Sequence, residues 1–428
     1  MDHFTYQNGI LYAEDVAVSE IAQRFGTPTY VYSAATITRH MTVLQAAVSG
    51  LQTLICYAIK ANGNLAIIEH LARLGSGFDA VSGGELLKAW KAGVPRDRII
   101  LSGVGKERWE IELALRGGIR YLCAESREEL VLIADIAQAL KMQAPVVIRV
   151  NPNVDAKTHP YISTGLKKNK FGVPQEEAME LARWVHAQGS LKLVGMSCHI
   201  GSQITTLAPF EDAATRMAQI CKTLIYEGIG LEHVGIGGGL GIPYRADETP
   251  PEPKQYGEAL VRILGPLGLQ IVLEPGRVIV GNAGILLARV VRQKPGAERP
   301  FLVIDTGMND LLRPPLYDAF HQIIPAVEAP LDAKFDVVGP ICESADLMGR
   351  DVPLPSSIAP GDVVAIRSAG AYGFVMASMY NGRRRAAEVM VDGDVARVVR
   401  ARDGFDELWR GEFHWDGTAA DPQVPATI

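Results

Sequence analysis

From about Gln52 onward, short runs of apolar and β-branched residues alternate with stretches whose apolar positions recur at three- and four-residue spacing. The first pattern fits buried strands and the second amphipathic helices, and their alternation predicts repeated strand-helix units with a parallel sheet. Eight runs can be counted, at residues 53–59, 77–81, 98–101, 119–123, 145–150, 191–199, 233–236 and 270–273. Helical spacing fills the intervals, as at 65–74, 85–92 and 127–140. Eight units close a (β/α)8 barrel, the TIM fold, whose usual span is roughly 250 residues.

After Glu274 the texture changes to Val-rich segments punctuated by Gly and Pro, at 285–292, 301–305, 335–339, 362–366, 387–391 and 395–400. These predict a mostly β C-terminal domain, sandwich-like or barrel-like. The opening runs at 10–12 and 29–32 precede the barrel count and are assigned to the same domain. The expected division is therefore 1–33 joining the β domain, 34–274 as the barrel, 275–417 as the β domain, and 418–428 as a flexible polar tail.

Composition narrows the function. The chain has 428 residues with 42 Lys+Arg against 48 Asp+Glu, a net charge of -6, which does not make a nucleic-acid surface. Its length exceeds the roughly 250–300 residues at which single cores stop growing, so two domains are expected. Cys56, Cys123, Cys198, Cys221 and Cys342 are scattered without a C-x-x-C pair, which points to neither a disulfide framework nor a metal site. The first twenty residues carry Asp2, Glu14 and Asp15 but no Lys or Arg, and no apolar run is long enough for a signal peptide or a membrane span. A cytoplasmic protein without a membrane partner is the expectation.

Barrel enzymes place their reacting groups at the carboxyl ends of the strands, and here those ends are polar. The first run ends in Lys60, which is either a solvated surface amine or, if desolvated, an amine of lowered pKa suited to forming an imine with a carbonyl compound. The sixth ends in Ser197-Cys198-His199-Ile200-Gly201-Ser202-Gln203. His199 is there a hydrogen-bonded core residue or a ring that stacks on a flat cofactor. The seventh runs into the glycines of 237–241, a structural turn or a backbone cradle for phosphate. A dinucleotide fingerprint fails, because the sixth positions counted from Gly235, Gly237 and Gly239 are Leu240, Ile242 and Tyr244. The eighth ends in Glu274-Pro275-Gly276-Arg277, either a salt bridge closing the barrel or a carboxylate for a heterocyclic nitrogen beside an arginine for a substrate carboxylate. An amine, a stacking ring, a phosphate cradle and a pyridinium partner on one rim together describe a pocket for pyridoxal 5'-phosphate.

These residues lie in motifs that resemble the diaminopimelate decarboxylase family, within the alanine-racemase-like barrel class of pyridoxal phosphate enzymes. The motifs are Tyr57-Ala58-Ile59-Lys60-Ala61-Asn62, residues 77–85 around Asp79, Arg149-Val150-Asn151-Pro152, residues 159–165, Lys170-Phe171-Gly172, the 198–203 and 237–241 segments, and Glu274 to Arg277. Three more, 308–314, 339–343 and 368–373, fall in the β domain. The resemblance implies that Lys60 carries the cofactor, that His199 lies on its ring, and that Glu274 meets its pyridine nitrogen. Ser202, Gly238, Gly239, Gly276 and Arg277 are implied around the phosphate, with Tyr372 nearby and Asp79 and Pro275 completing the cofactor set. Arg277, Arg313, Tyr317, Glu343 and Tyr372 are the implied substrate contacts, with Cys342 the proton donor. Cys342 and Glu343 are implied to serve the neighbouring subunit of a homodimer. By texture alone Cys342 reads as an inert buried thiol.

Within that class the substrate implied is an amino acid, meso-2,6-diaminopimelate, whose distal carboxylate suits Arg277 and Arg313 and whose distal ammonium suits Glu343. An ornithine- or lysine-type decarboxylase is the alternative. Glu274 argues against a racemase, in which Arg usually faces the pyridine nitrogen, and the pairing of Lys60 with Cys342 argues against a non-catalytic binding relative. Gly63, Ala345 and Thr306-Gly307 depart from the expected pattern without removing a reacting group. The long 151–171 stretch is expected to act as a lid.

Overall fold

The structure, a computed structural model, describes residues 2–155 and 170–419. It divides into two units, Ile37–Val280 and Met1–Thr36 with Gly281–Ile428. The 159–165 motif, most of the expected lid and the last nine residues lie outside the described residues.

In the first unit eight parallel strands form a closed ring: β1 (Thr53–Ala58), β2 (Gly77–Ala80), β3 (Ile99–Leu101), β4 (Tyr121–Ala124), β5 (Ala144–Asn151), β6 (Leu191–Cys198), β7 (His233–Gly237) and β8 (Gln270–Leu273). The ring closes where Ile271 of β8 pairs with Thr53 of β1. Alternate residues of each strand turn inward, so Leu54 and Cys56 of β1 meet Tyr121 and Cys123 of β4, with Ile100, Val147, Val194 and Val272, in one buried cluster. The expected fold class is what the structure contains.

Helices α1 (Leu65–Arg73), α2 (Gly83–Lys91), α3 (Arg108–Gly117), α4 (Arg127–Ala139), α5 (Gln175–His186), α6 (Ala208–Tyr226) and α7 (Pro253–Leu264) follow successive strands from β1 to β7. Their starts are written in the sequence. Asn64 caps α1 by accepting the Ala66 N–H, Ser82 caps α2 by accepting that of Glu85, and Ser126 caps α4 by accepting that of Glu129. After β8 comes only a four-residue helix, Arg277–Val280. The eighth place is taken by Ala34–Ala47, which precedes β1. Thr38 and Gln45 of this helix bond His70 and the Leu74 carbonyl at the end of α1, and on its other side Ala47 meets Gly257 of α7.

The second unit is a sheet built on Gly284–Lys294, which pairs antiparallel with Thr29–Ser33, Val363–Ile366 and Phe301–Ile304. Thr29–Ser33 is buried along its whole length and runs parallel to Ala387–Asp392, which pairs with Val395–Arg400. Phe301–Ile304 pairs with Ala333–Val338, and the outermost strand is Leu347–Leu354. That edge strand is absent from the sequence expectation because Arg350, Asp351 and Pro353 interrupt its apolar alternation, the chemistry that protects an open edge. The core includes Val31, Ile285, Leu287, Ala365, Val389 and Val391. Among the described residues no helix is long and apolar enough to cross a membrane.

The contact between helix Ala34–Ala47 and α7 is testable. A β-carbon on Gly257 would fall 2.0 Å from the Ala47 carbonyl oxygen, an atom that cannot rotate away. Gly257→Ala is expected to lower stability by about 1–3 kcal/mol, the usual cost of overpacking. Denaturant unfolding checks it, and an unchanged midpoint would contradict the close approach.

Candidate active site at the carboxyl end of the barrel

The order of strands around the ring sets β6, β7, β8, β1 and β2 side by side. Their carboxyl ends deliver, in that order, His199, the glycines of 237–241, Glu274, Lys60 and Asp79. The rim is fixed by backbone bonds: the Glu274 N–H donates to the Gly237 carbonyl at 2.8 Å, and the Ala58 N–H to that of Pro275 at 2.9 Å. Four side chains and a glycine run, distant in sequence, are thereby placed on consecutive strand ends.

Lys60 lies in a one-turn 3-10 helix directly after β1, and its Nζ donates to Asp79 Oδ2 at 2.8 Å. The environment of Lys60 lies between the solvated and the desolvated reading. The Lys60 side chain is 37% exposed, whereas Asp79 is fully buried and Oδ1 of its carboxylate has no partner among the described residues. The Glu274 carboxyl is pushed up to about 8, by burial first and the Asp79 charge second, against the opposing effects of Lys60 and Arg149. Two carboxylates thus compete for one amine.

His199 is held well below its usual pKa by burial, and then by Arg149 and Lys60. Its Nδ1 accepts the Gly238 N–H at 3.1 Å, so the neutral ring carries its proton on Nε2. The glycines after β7 are demanded by packing. A β-carbon on Gly238 would fall 2.1 Å from the Glu274 carbonyl oxygen, and one on Gly239, at φ +107°, 2.3 Å from that of Gly201. What remains there is backbone bare of side chains. Arg277 is buried, with Nη2 donating to Ser202 Oγ at 3.0 Å and Nη1 to the Tyr244 hydroxyl at 2.5 Å.

Two residues of this rim, Tyr244 and Glu125, escape the sequence reading, and a third, Arg149, enters it only within a motif and without a role. Tyr244 follows the glycine run and reaches back to Arg277. Arg149, on β5, pairs with buried Glu125 at 2.9 Å, and Glu125 also accepts the Gly172 N–H. The available signal is a charge inside an otherwise apolar strand, since Arg149 interrupts the apolar run of 146–150.

The remaining expected site residues belong to the β unit. Arg313 is buried as the first residue of a short helix, Arg313–Tyr317, that ends in Tyr317. Tyr372 adopts a left-handed backbone, φ 55°. Cys342 and Glu343 are exposed, which corrects the reading of Cys342 as a buried thiol. The Cys342 N–H donates to Asn381 Oδ1 at 2.6 Å, and a hydrogen bond with Glu343 raises the Tyr380 phenol pKa.

Residues 34–281 match the family model described as pyridoxal-dependent decarboxylase, pyridoxal binding domain. The chain is 47% identical over 412 residues to a diaminopimelate decarboxylase of Vibrio cholerae, covering 96% of this chain and 98% of that one. The chain belongs to the diaminopimelate decarboxylase family of pyridoxal-dependent enzymes. The solved structure of the Helicobacter pylori diaminopimelate decarboxylase, complexed with L-lysine, is similar at a TM-score of 0.89 and 44% identity, covering 92% of this chain and 98% of that one. That from M. jannaschii, in co-complex with L-lysine, aligns at 0.91 with 38% identity over 95% of this chain and 96% of its own.

The cofactor of a pyridoxal-dependent decarboxylase fits the residues present. Among the described residues no hydrogen bond or ion pair reaches the half-buried Glu274 carboxylate, which is open to a cation such as a protonated ring nitrogen. Lys60 offers a primary amine, His199 a neutral flat ring, and the glycine run, whose Gly238 N–H is held by His199, backbone without a side chain at Gly239 for a phosphate.

Glu274 gives a pH test in the cofactor-free protein. Its pKa rises from an ordinary 4.5 to about 8 on folding, so the folded state binds the proton more tightly. Its stabilising contribution is full below pH 4.5 and is lost as pH climbs towards about 8. Glu274→Gln should flatten the fall in melting temperature across that window. An unchanged slope would show that Glu274 does not carry the strain.

Proposed function

We propose that this chain decarboxylates meso-2,6-diaminopimelate to L-lysine and carbon dioxide, the closing step of bacterial lysine formation, as a cytoplasmic homodimer with shared active sites. The observation that carries this reading is the likeness, over 96% of the chain, to a decarboxylase of that name. Bound pyridoxal phosphate supplies an electron sink that accepts the pair released as the carbon-carbon bond to the carboxylate breaks.

The chain's own residues do the rest. Lys60 is the amine that carries the cofactor, and Asp79 orients it at 2.8 Å. Glu274 is the counter-charge for the ring nitrogen, Pro275 fixes its backbone, and His199 offers a neutral face held in place by the Gly238 N–H. Ser202, Gly239, Gly276, Arg277 and Tyr372 form the phosphate side. Loss of carbon dioxide leaves the α-carbon one proton short, and Cys342 Sγ supplies it.

Arg277 and Arg313 bind the distal carboxylate, with Tyr317 and Tyr372 beside them, and Glu343 takes the distal ammonium. An ornithine-like substrate leaves a buried arginine unmatched, at about 1–3 kcal/mol for each lost charged hydrogen bond. Exposure of Cys342 and Glu343 in the single chain supports a second copy covering them, because a proton donor works best shielded from water.

Carbon dioxide release from meso-diaminopimelate is expected to exceed that from lysine and ornithine, and equal or faster turnover of ornithine would overturn the assignment. Mixed Lys60→Ala and Cys342→Ala chains should regain part of the activity that each lacks alone. No recovery in a demonstrated heterodimer would contradict the shared site.

A further inference from the structure

Asp346 has no part in the chemistry described so far, yet it is 4% exposed and engaged on every side. Its Oδ1 accepts the Met308 N–H at 2.6 Å and its Oδ2 the Ile341 N–H at 2.7 Å. Its own backbone accepts the Gly339 N–H and donates to the Glu343 carbonyl, both at 3.1 Å. One residue therefore binds two segments: the turn of 307–311, which leads directly to Arg313, and the stretch of 339–343, which carries Cys342 and Glu343.

The surroundings are shaped to admit this carboxylate. A β-carbon on Gly307 would fall 2.6 Å from Oδ1, and one on Gly339 2.4 Å from Oδ2. The departure at Thr306-Gly307 thus has a local consequence, since Gly307 leaves the carboxylate room. The turn is fixed from its other side, where the Asp310 and Leu311 N–H groups donate to the Gly307 carbonyl and the Tyr30 hydroxyl donates to that of Asp310. The Cys342 N–H is held in turn by Asn381. Both carboxylate oxygens are taken up by backbone, so Asp346 acts through other residues.

We propose that Asp346 is a positioning residue that fixes the Cys342–Glu343 segment, which a chain lends to its neighbour's site, against the segment bearing Arg313, which serves its own, so that one residue sets the contribution of each chain to both sites. This rests on the roles given to those residues under the proposed function. Asp346→Asn keeps the shape but turns an N–H donor towards one of the two backbone N–H groups. Losing one hydrogen bond to a charged acceptor is worth about tenfold or more.

The test uses the pyridoxal phosphate-loaded enzyme with meso-diaminopimelate, and reads kcat, KM, cofactor affinity and melting temperature for parent and variant. The expected result is a KM raised and a kcat lowered, for a fall in kcat/KM of about tenfold or more, with cofactor affinity unchanged because Lys60, His199 and Glu274 are untouched. Kinetic constants within about twofold of the parent would overturn the proposal. So would a fall in kcat that matches lost cofactor or lost folded protein at constant KM, the mark of a merely structural role. Should Asp346→Asn not fold, Gly307→Ala, which pushes on the same carboxylate, decides by the same criteria. A parent without turnover would refute the substrate reading itself, whereas an active parent with an indifferent variant refutes the role of Asp346 alone.

Discussion

A fully buried carboxylate, Asp79, and a half-buried one, Glu274, beside a single lysine set the terms for the mouth of this barrel. Asp79 takes the Lys60 amine at 2.8 Å, and Glu274, raised to about 8 by burial and by Asp79, is left with no hydrogen-bonded partner of its own among the described residues. A site organised only for stability would bury fewer charges or balance them. The imbalance is of the kind that a cationic ring nitrogen corrects, while burial and the positive charges of Arg149 and Lys60 keep His199 neutral. The same low-dielectric surroundings that raise Glu274 keep His199 uncharged.

The scaffold holds this imbalance by backbone rather than by side chains. Glu274 and Pro275 are bonded through their peptides to Gly237 and Ala58, and the glycines after β7 allow three strand ends to meet at distances no β-carbon tolerates. Removing or adding a charge at the rim therefore changes electrostatics before it changes geometry. The β unit uses the same device with Asp346, whose oxygens organise peptide N–H groups of two loops.

Much of this was legible in the residues. The eight apolar runs locate β1 to β8 to within a residue or two at most ends, because strands of a covered parallel sheet are continuously apolar and their ends turn polar abruptly. Lys60, His199 and Glu274 stand out as polar groups at such ends. Less legible were features that depend on distant pairing. Helix Ala34–Ala47 fills the eighth helical place from the opposite end of the barrel sequence, and the strand Leu347–Leu354 reads as a loop because its charges suit an edge. The Lys60 environment stays open in the sequence since the carboxylate that meets it, Asp79, is nineteen residues away and belongs to the next strand. Tyr244 goes unnoticed in the sequence and Arg149 carries no role there for the same reason: their partners Arg277 and Glu125 come close only after folding.

The account depends on Lys60 being the amine that joins the cofactor. Borohydride treatment of the pyridoxal phosphate-loaded protein, followed by proteolysis and peptide mass spectrometry, tests this directly. The adduct is expected on the peptide containing Lys60 and on no other. A reduced adduct on a different lysine, or none in protein shown to hold the cofactor, would contradict it.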